Sequence, residues 1–323
     1  MTLIVVKSQD GQSVQMQDYV ALAKGMIGPT DLANGGQLSP QAANKLITMI
    51  FDDPFLKKVE TVRMDRLTRN VDVIDLMRRA LVRIPQGQEP TEAQMPGGSE
   101  HGCVLKALDA QLFPTLTLDF LRANKDNPNL VSSVEAGFVT RFQNDFVDLG
   151  FNGIADDYVA TDAAKAKFER LNKGWVQIAK DSTATKKLAG GIDPATDGWV
   201  DTLQAIKKAS DPMYRAQSVF IMNTDDADDY WLELTKKVTG SAKEEEMPKN
   251  KFSGITIEPH PLMPKGTVLF TPLKNLVFGL HTTIQQDKEY HKRRRALEYT
   301  FDQACDYEIA VKQACVLAEA VAA

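Results

Sequence analysis

Residues 85–100 read Pro85-Gln-Gly-Gln-Glu-Pro90-Thr-Glu-Ala-Gln-Met-Pro96-Gly97-Gly98-Ser-Glu100, and no regular element survives three prolines and two adjacent glycines so placed. Strand patterns flank this stretch. Val59 and Thr61 alternate, Val71 to Leu76 alternates, and Cys103 to Phe113 reads as the returning strand. A two-stranded hairpin is marginal in water by itself. A chain carrying so long an excursion therefore needs a surface on which to lay it. Charge also divides along it. Arg63, Arg66, Arg69, Arg78, Arg79 and Arg83 accompany the strands, while the tip holds Glu89, Glu92 and Glu100 and neither Lys nor Arg. Such an array suits a neighbouring surface of complementary charge, where it fixes register and partner choice. The plainer alternative is an ordinary exposed hairpin.

The remaining pattern is mixed α and β. Residues 1–45 are polar, broken by Gly25, Gly28-Pro29 and Gly35-Gly36, and read as an arm that lies on something else. Within it, Met16 to Met26 has one helical face, and Ser39-Pro40 opens a helix with Leu46, Ile47 and Ile50 on its apolar side. Residues 131–149 carry the clearest helix. Ser132-x-x-Glu135 reads as a capping box, Val134, Phe138, Phe142, Phe146 and Leu149 form one stripe, and Gly150 suits the position after the last turn. Helices are also expected at 163–180, at 199–209, and after Asp225. Ser218 to Met222, Ile255 to Ile257, Thr267 to Phe270, Leu276 to Leu280 and Leu297 to Phe301 read as strands, and Tyr307 to Leu317 closes the chain with an alternating apolar pattern.

Composition excludes more than it suggests. The 323 residues are 43% hydrophobic and 25% charged, which argues against disorder as the whole answer. The net charge of −5 argues against a dedicated nucleic-acid binder. No apolar run reaches the roughly 20 residues needed to cross a bilayer, so no membrane partner is expected. The start of the chain lacks a signal-peptide pattern. Three cysteines, Cys103, Cys305 and Cys315, form no CxxC and read as reduced thiols. The four histidines make no i, i+4 pair, so no helical metal site is expected.

The order of elements resembles the major capsid proteins of tailed bacteriophages, the Hong Kong 97-type fold, an α+β architecture. The resemblance is carried by that order and by three local stretches. Leu262-Met263-Pro264-Lys-Gly266-Thr-Val-Leu-Phe270-Thr-Pro-Leu-Lys-Asn275-Leu-Val-Phe-Gly279 is similar to the family's Met-Pro, Gly, apolar strand and Leu-x-Asn turn. Arg294 to Ala314 is similar to its closing segment, and Phe146 to Gly153 to the end of its spine helix. The resemblance implies an arm at 1–45 and an extended loop at 60–110. It implies a peripheral domain from 46–59 and 111–154 with its spine helix at 131–149. An axial domain at 155–270, peripheral strands at 271–303 and a closing segment at 304–323 complete the map.

The function so implied is structural: pentamers and hexamers of the chain build an icosahedral shell around double-stranded DNA, without sequence-specific binding and without cofactors. The shell would be assembled in a host cytoplasm and become the virion capsid. The spine helix begins too early to leave room for a fused scaffolding segment, so scaffolding would come from a separate protein or be absent, and the resemblance also allows separate cement and portal proteins as partners. Two alternatives remain: a nanocompartment shell of the encapsulin kind, and a soluble two-domain α/β enzyme.

Few residues invite chemistry. The basic run around Arg293, Arg294 and Arg295 suits phosphate, but the nearby Glu289 and Glu298 favour ion pairing on a strand face between subunits. Asp225, Asp226, Asp228 and Asp229 suit a divalent cation less well than a helix start, where carboxylates complement the dipole. Asp156-Asp157 and Glu244 to Glu246 read as solvated surface. Cys103 beside His101 is the one Cys-His proximity in the chain, and sequence adjacency is not the geometry a catalytic pair needs.

Overall fold

The computed structural model describes residues 53–75, 83–89, 91, 99–123, 130–158, 167–188, 198–237, 250–282, 285–291 and 293–320. The arm at 1–45 and its two helical patterns lie outside the described residues.

Two six-stranded sheets organise the chain. In the first, β13 (Ala296–Ile309) is the axis. Along one edge run β11 (Leu276–His281) and then β12 (Gln285–His291), both antiparallel to β13. Along the other run β4 (Leu108–Leu112) and β5 (Thr115–Thr117), one broken strand whose gap is bridged by the Tyr299 amide donating to Pro114 O at 2.9 Å. The outermost strand β1 (Glu60–Met64) adds parallel to β11. The hairpin of β2 (Thr68–Asp75) and β3 (Ser99–Lys106) extends from this sheet as a separate two-stranded ribbon. Cys103 to Phe113, expected as one strand, is thus two, divided at Ala107, whose amide donates to Leu67 O at 2.7 Å.

A short helix α1 (Leu118–Ala123) precedes α2 (Leu130–Asn152), the Phe-striped helix. Phe142, Phe146 and Leu149 are buried, and Phe138 packs on the same core. Both ends differ from expectation. The helix begins two residues before Ser132, which therefore lies inside it rather than capping it. It also runs past Gly150 to Asn152. Gly150 serves packing instead, since a Cβ there would sit 2.5 Å from the Trp175 ring. The expected helix at 163–180 is interrupted by a turn before α3 (Trp175–Asp181). Asn172 there is buried and donates to Cys305 O at 2.9 Å, and Gly174 N donates to Gly153 O at 3.0 Å. These backbone attachments override the helical periodicity.

The second sheet runs β6 (Lys186–Lys187), β14 (Val316–Glu319), β10 (Thr267–Thr271), β7 (Val219–Met222), β9 (Ile255–Pro259), β8 (Lys251–Phe252). Helices α4 (Gly198–Ala209) and α6 (Thr224–Lys237) cover one face, with the four-residue α5 (Pro212–Arg215) between them in sequence. Trp199, Leu203, Ile206, Phe220, Phe270 and Val316 fill that core. The opposite face sends Ile221, Leu269 and Leu317 into the core beneath α2 and the first sheet. Both sheets therefore share one interior, and β10 is buried along its whole length.

Tyr307 to Leu317 is not one continuous pattern. β13 ends at Ile309, a 3-10 turn spans Lys312–Ala314, and β14 joins the other sheet. Asn275 holds this crossing together. Its Nδ2 donates to Val311 O (2.9 Å) and Thr271 Oγ1 (3.0 Å), and its Oδ1 accepts from Val311 N (2.7 Å). The Leu-x-Asn turn is thus the joint between the sheets.

Candidate functional site

The base of the excursion is locked to the body. Met64, Cys103, Leu105, Ala107, Val277 and Ala304 form a small separate core. Gly279 makes room for it, since a Cβ there would meet Met64 Sδ at 2.7 Å and Leu105 Cδ1 at 2.8 Å. Thr282 N donates to Met64 O at 2.8 Å. Lys106 N donates to Asp306 Oδ2 at 2.6 Å. Burial is the main cause that pushes the Asp306 carboxyl up to about 6, and Glu308 and Asp156 add repulsion.

Beyond this base the excursion lies open. Arg63, Arg66 and Arg69 are exposed on β1, the following turn and β2, and the Arg69 guanidinium donates to Arg63 O. Arg83 and Glu89 are exposed in the segment beyond β2. Glu100 lies on β3, opposite Ile74. Arg78, Arg79 and Glu92 lie outside the described residues. Arg293, Arg294 and Arg295 are exposed in the turn joining β12 to β13. Arg294 pairs with Glu298 at 3.0 Å, and His291 lies 3.2 Å from Glu298 and 3.7 Å from Glu289. The described members of the two charged sets are therefore in different places.

Apolar residues accompany the charges. Leu67, Val104 and Leu108 are exposed at the base of the excursion, and Phe113 and Phe120, before and after β5, are 63% and 41% exposed. Sequence reasoning missed these. A signal for Val104 was present in β3, where Cys103 and Leu105 lie on one face and Val104 on the other, and the partner strand can cover only one.

The residues that invited chemistry serve structure. The Cys103 thiol is buried and pushed up to about 11, chiefly by burial, so it stays protonated at neutral pH and is a poor nucleophile. The His101 side chain lies outside the described residues. Asn223 Oδ1 accepts from Asp225 N at 2.8 Å, at the start of α6. Asp225 pairs with Lys265, and Asp226 accepts from Gly266 N at 2.7 Å. Among the described residues no group of three His, Cys, Asp or Glu is placed to hold a metal. Asp157 takes both contacts of Arg170, at 2.7 and 2.8 Å.

A cleft of about 410 Å³ opens between α2 and the turn after β9, lined in part by Asp53, Arg141, Asp145, Asp148 and His260. Its carboxylates already hold backbone and neighbours. Asp53 accepts from the amides of Phe55 and Leu56 (2.8 and 3.0 Å), Asp145 from Arg141 (3.0 Å) and Asp148 from Asn152 (2.7 Å). His260 sits against Phe55 and Phe151, and burial holds its pKa below the usual value.

No family model matches the chain. No curated protein matches it either. Solved structures do. A chain of the satellite phage P4 procapsid that includes the size determination protein aligns with a TM-score of 0.73 at 15% identity, covering 95% of this chain and 98% of that one. A capsid chain of an empty GTA particle aligns at 0.54 and 12% identity, covering 82% and 89%. A chain of Microbacterium phage Oxtober96 aligns at 0.50 and 12%, covering 83% and 91%. The chain thus has the Hong Kong 97-type α+β capsid fold.

Proposed function

We propose that the chain is a major capsid protein whose copies assemble into an icosahedral shell enclosing double-stranded DNA. The observation that carries this reading is the end-to-end alignment with a procapsid chain, which spans nearly all of both molecules. The open excursion supports it, because its exposed apolar residues and unpaired strand edges need a covering that the described residues do not supply.

The subunit works by association and not by catalysis. The first sheet with α2 acts as the peripheral domain, and the second sheet with α4 and α6 as the axial domain clustered around five-fold and six-fold positions. The arm and the extended loop lie across neighbouring subunits. The shell can take separate scaffolding, cement and portal proteins as partners, and packaged DNA is held without sequence preference. The protein is made in the host cytoplasm and ends in the virion.

Negative-stain microscopy of the purified full chain tests the reading. Closed shells tens of nanometres across are expected. Scattering from a compact monomer of radius of gyration near about 20 Å at every concentration overturns it. Particles filled with an enzyme and no DNA overturn the DNA-packaging half.

A further inference from the structure

β4 and β5 form an outer strand of the first sheet with an open edge. Both pair with β13 in one frame, Leu112 opposite Phe301 and Thr115 opposite Glu298, so the register runs unbroken through Phe113 and Pro114. Tyr299 N donates to Pro114 O and Leu118 N to Arg295 O, both at 2.9 Å. In an antiparallel ladder the residues that bond a given partner alternate along the strand. The even positions from Leu108 to Leu118 therefore face β13. The odd ones, Asp109, Gln111, Phe113, Thr115 and Thr117, turn their N–H and C=O groups away from it. Among the described residues no strand pairs with that row.

The row is also unguarded. Exposed strand edges are ordinarily blunted by Lys, by Pro or by a bulge. Residues 108–117 contain neither Lys nor Arg. Pro114 occupies an inward position, so its missing N–H takes no donor from the outer row. Leu112 and Leu116 pack on the core, whereas all of the outward residues carry exposed side chains, Phe113 at 63%.

We propose that this edge pairs with the same edge of a second copy of the chain, antiparallel about a two-fold axis through Phe113. This rests on the shell reading and names an isologous contact within it. The row is complementary to itself in that frame. With Phe113 opposite its own counterpart, Gln111 meets Thr115 and Asp109 meets Thr117. Every outward backbone group then finds a partner, and no like charges oppose. The two Phe113 rings cover one another. A frame centred on Gln111 instead sets Asp109 against Phe113 and brings Thr115 to Ala107, whose amide already bonds Leu67 O.

The test uses the full chain carrying Phe113→Cys, oxidised with glutathione disulfide and read on a denaturing gel. The native Cys103, Cys305 and Cys315 are buried. Facing residues of such a pair stand about 5.5 Å apart at Cα, within disulfide reach. Most chains should run as covalent dimers. Thr115→Cys alone should not link, since its two copies lie about 14 Å apart, while Thr115→Cys mixed with Gln111→Cys should. Separately, F113D and F113K, exposed changes that leave melting unchanged, should each raise the concentration needed for assembly by at least about tenfold. Mixing the two should recover assembly, because opposite charges then meet on the axis. Should a charge variant fail to fold, the cysteine variants decide alone. Phe113→Cys that remains unlinked, or Thr115→Cys that links alone as well as it does, overturns the pairing. A folded charge variant that assembles like wild type overturns it too. Wild type that forms shells while Phe113→Cys stays unlinked leaves the shell reading standing and only the pairing fails. Wild type that forms no shells overturns the shell reading, and the link in free dimers still decides the pairing.

Discussion

Strand β10 and strand β3 mark the two extremes of this molecule. β10 is buried over all five of its residues, with Leu269 in one core and Val268 and Phe270 in the other. Among the described residues β3 pairs with β2 alone, and it alternates buried Cys103 and Leu105 with exposed Gly102 and Val104. The body around β10 secures itself, while the excursion is secured only at its base. Damage in the body should therefore appear in the melting of isolated subunits. Damage in the excursion should appear only when copies associate.

The largest effect is expected in the shared interior. Trp175 is fully buried, packs edge-on against Tyr307 and Phe151, and donates Nε1–H to Val277 O at 2.9 Å. Trp175→Ala should cost about 3–5 kcal/mol of subunit stability in denaturant unfolding. A loss below about 1 kcal/mol would break the comparison, because the body would not depend on its own core. Next comes Gly150→Ala, whose methyl group collides with that ring. Overpacking of this kind should cost about 1–3 kcal/mol, read by the same unfolding curve.

The junction between the two regions should respond to pH. Asp306 has its pKa raised from 3.8 to about 6 in the folded chain. Between those values the native state binds more protons than the unfolded one, so stability falls as pH rises through the window. Asp306→Asn keeps an acceptor for Lys106 N and removes the charge. It should stabilise the subunit at pH 7.5 by up to about 2 kcal/mol, and the difference should vanish by pH 4. A pH-independent difference would show that the carboxylate titrates normally and that the base is not strained by its charge.

The smallest effect on the subunit is expected on the excursion. Val104→Ser and Leu67→Ser alter exposed side chains and should change subunit stability by less than about 0.5 kcal/mol. The same variants should assemble measurably less well by sedimentation. If their melting falls as far as that of Gly150→Ala, the excursion is part of the body and the contrast dissolves.

Much of the body is written in local pattern. The Phe138, Phe142, Phe146 and Leu149 stripe becomes the buried side of α2, and Val219 to Met222 becomes a buried strand. Helix ends are less legible. Ser132 reads as a cap only if the helix starts there, and the chain starts it earlier. The turn before Trp175 is invisible to periodicity, because it follows from Asn172 reaching Cys305 O, a partner distant in sequence. The exposed Phe113 and Phe120 belong to the same class, since no local pattern says which apolar residues are left uncovered.

The breaker-rich tip, the charge division along its strands and the helical stripe follow from residue chemistry within a few positions, so the amino-acid sequence alone determines them. Tertiary structure decided that β11 and β12 share one edge of β13 and that β14 crosses to the second sheet at Asn275. Each of these depends on pairings across tens to hundreds of residues, where register comes from which backbone groups meet and not from the pattern of any single segment.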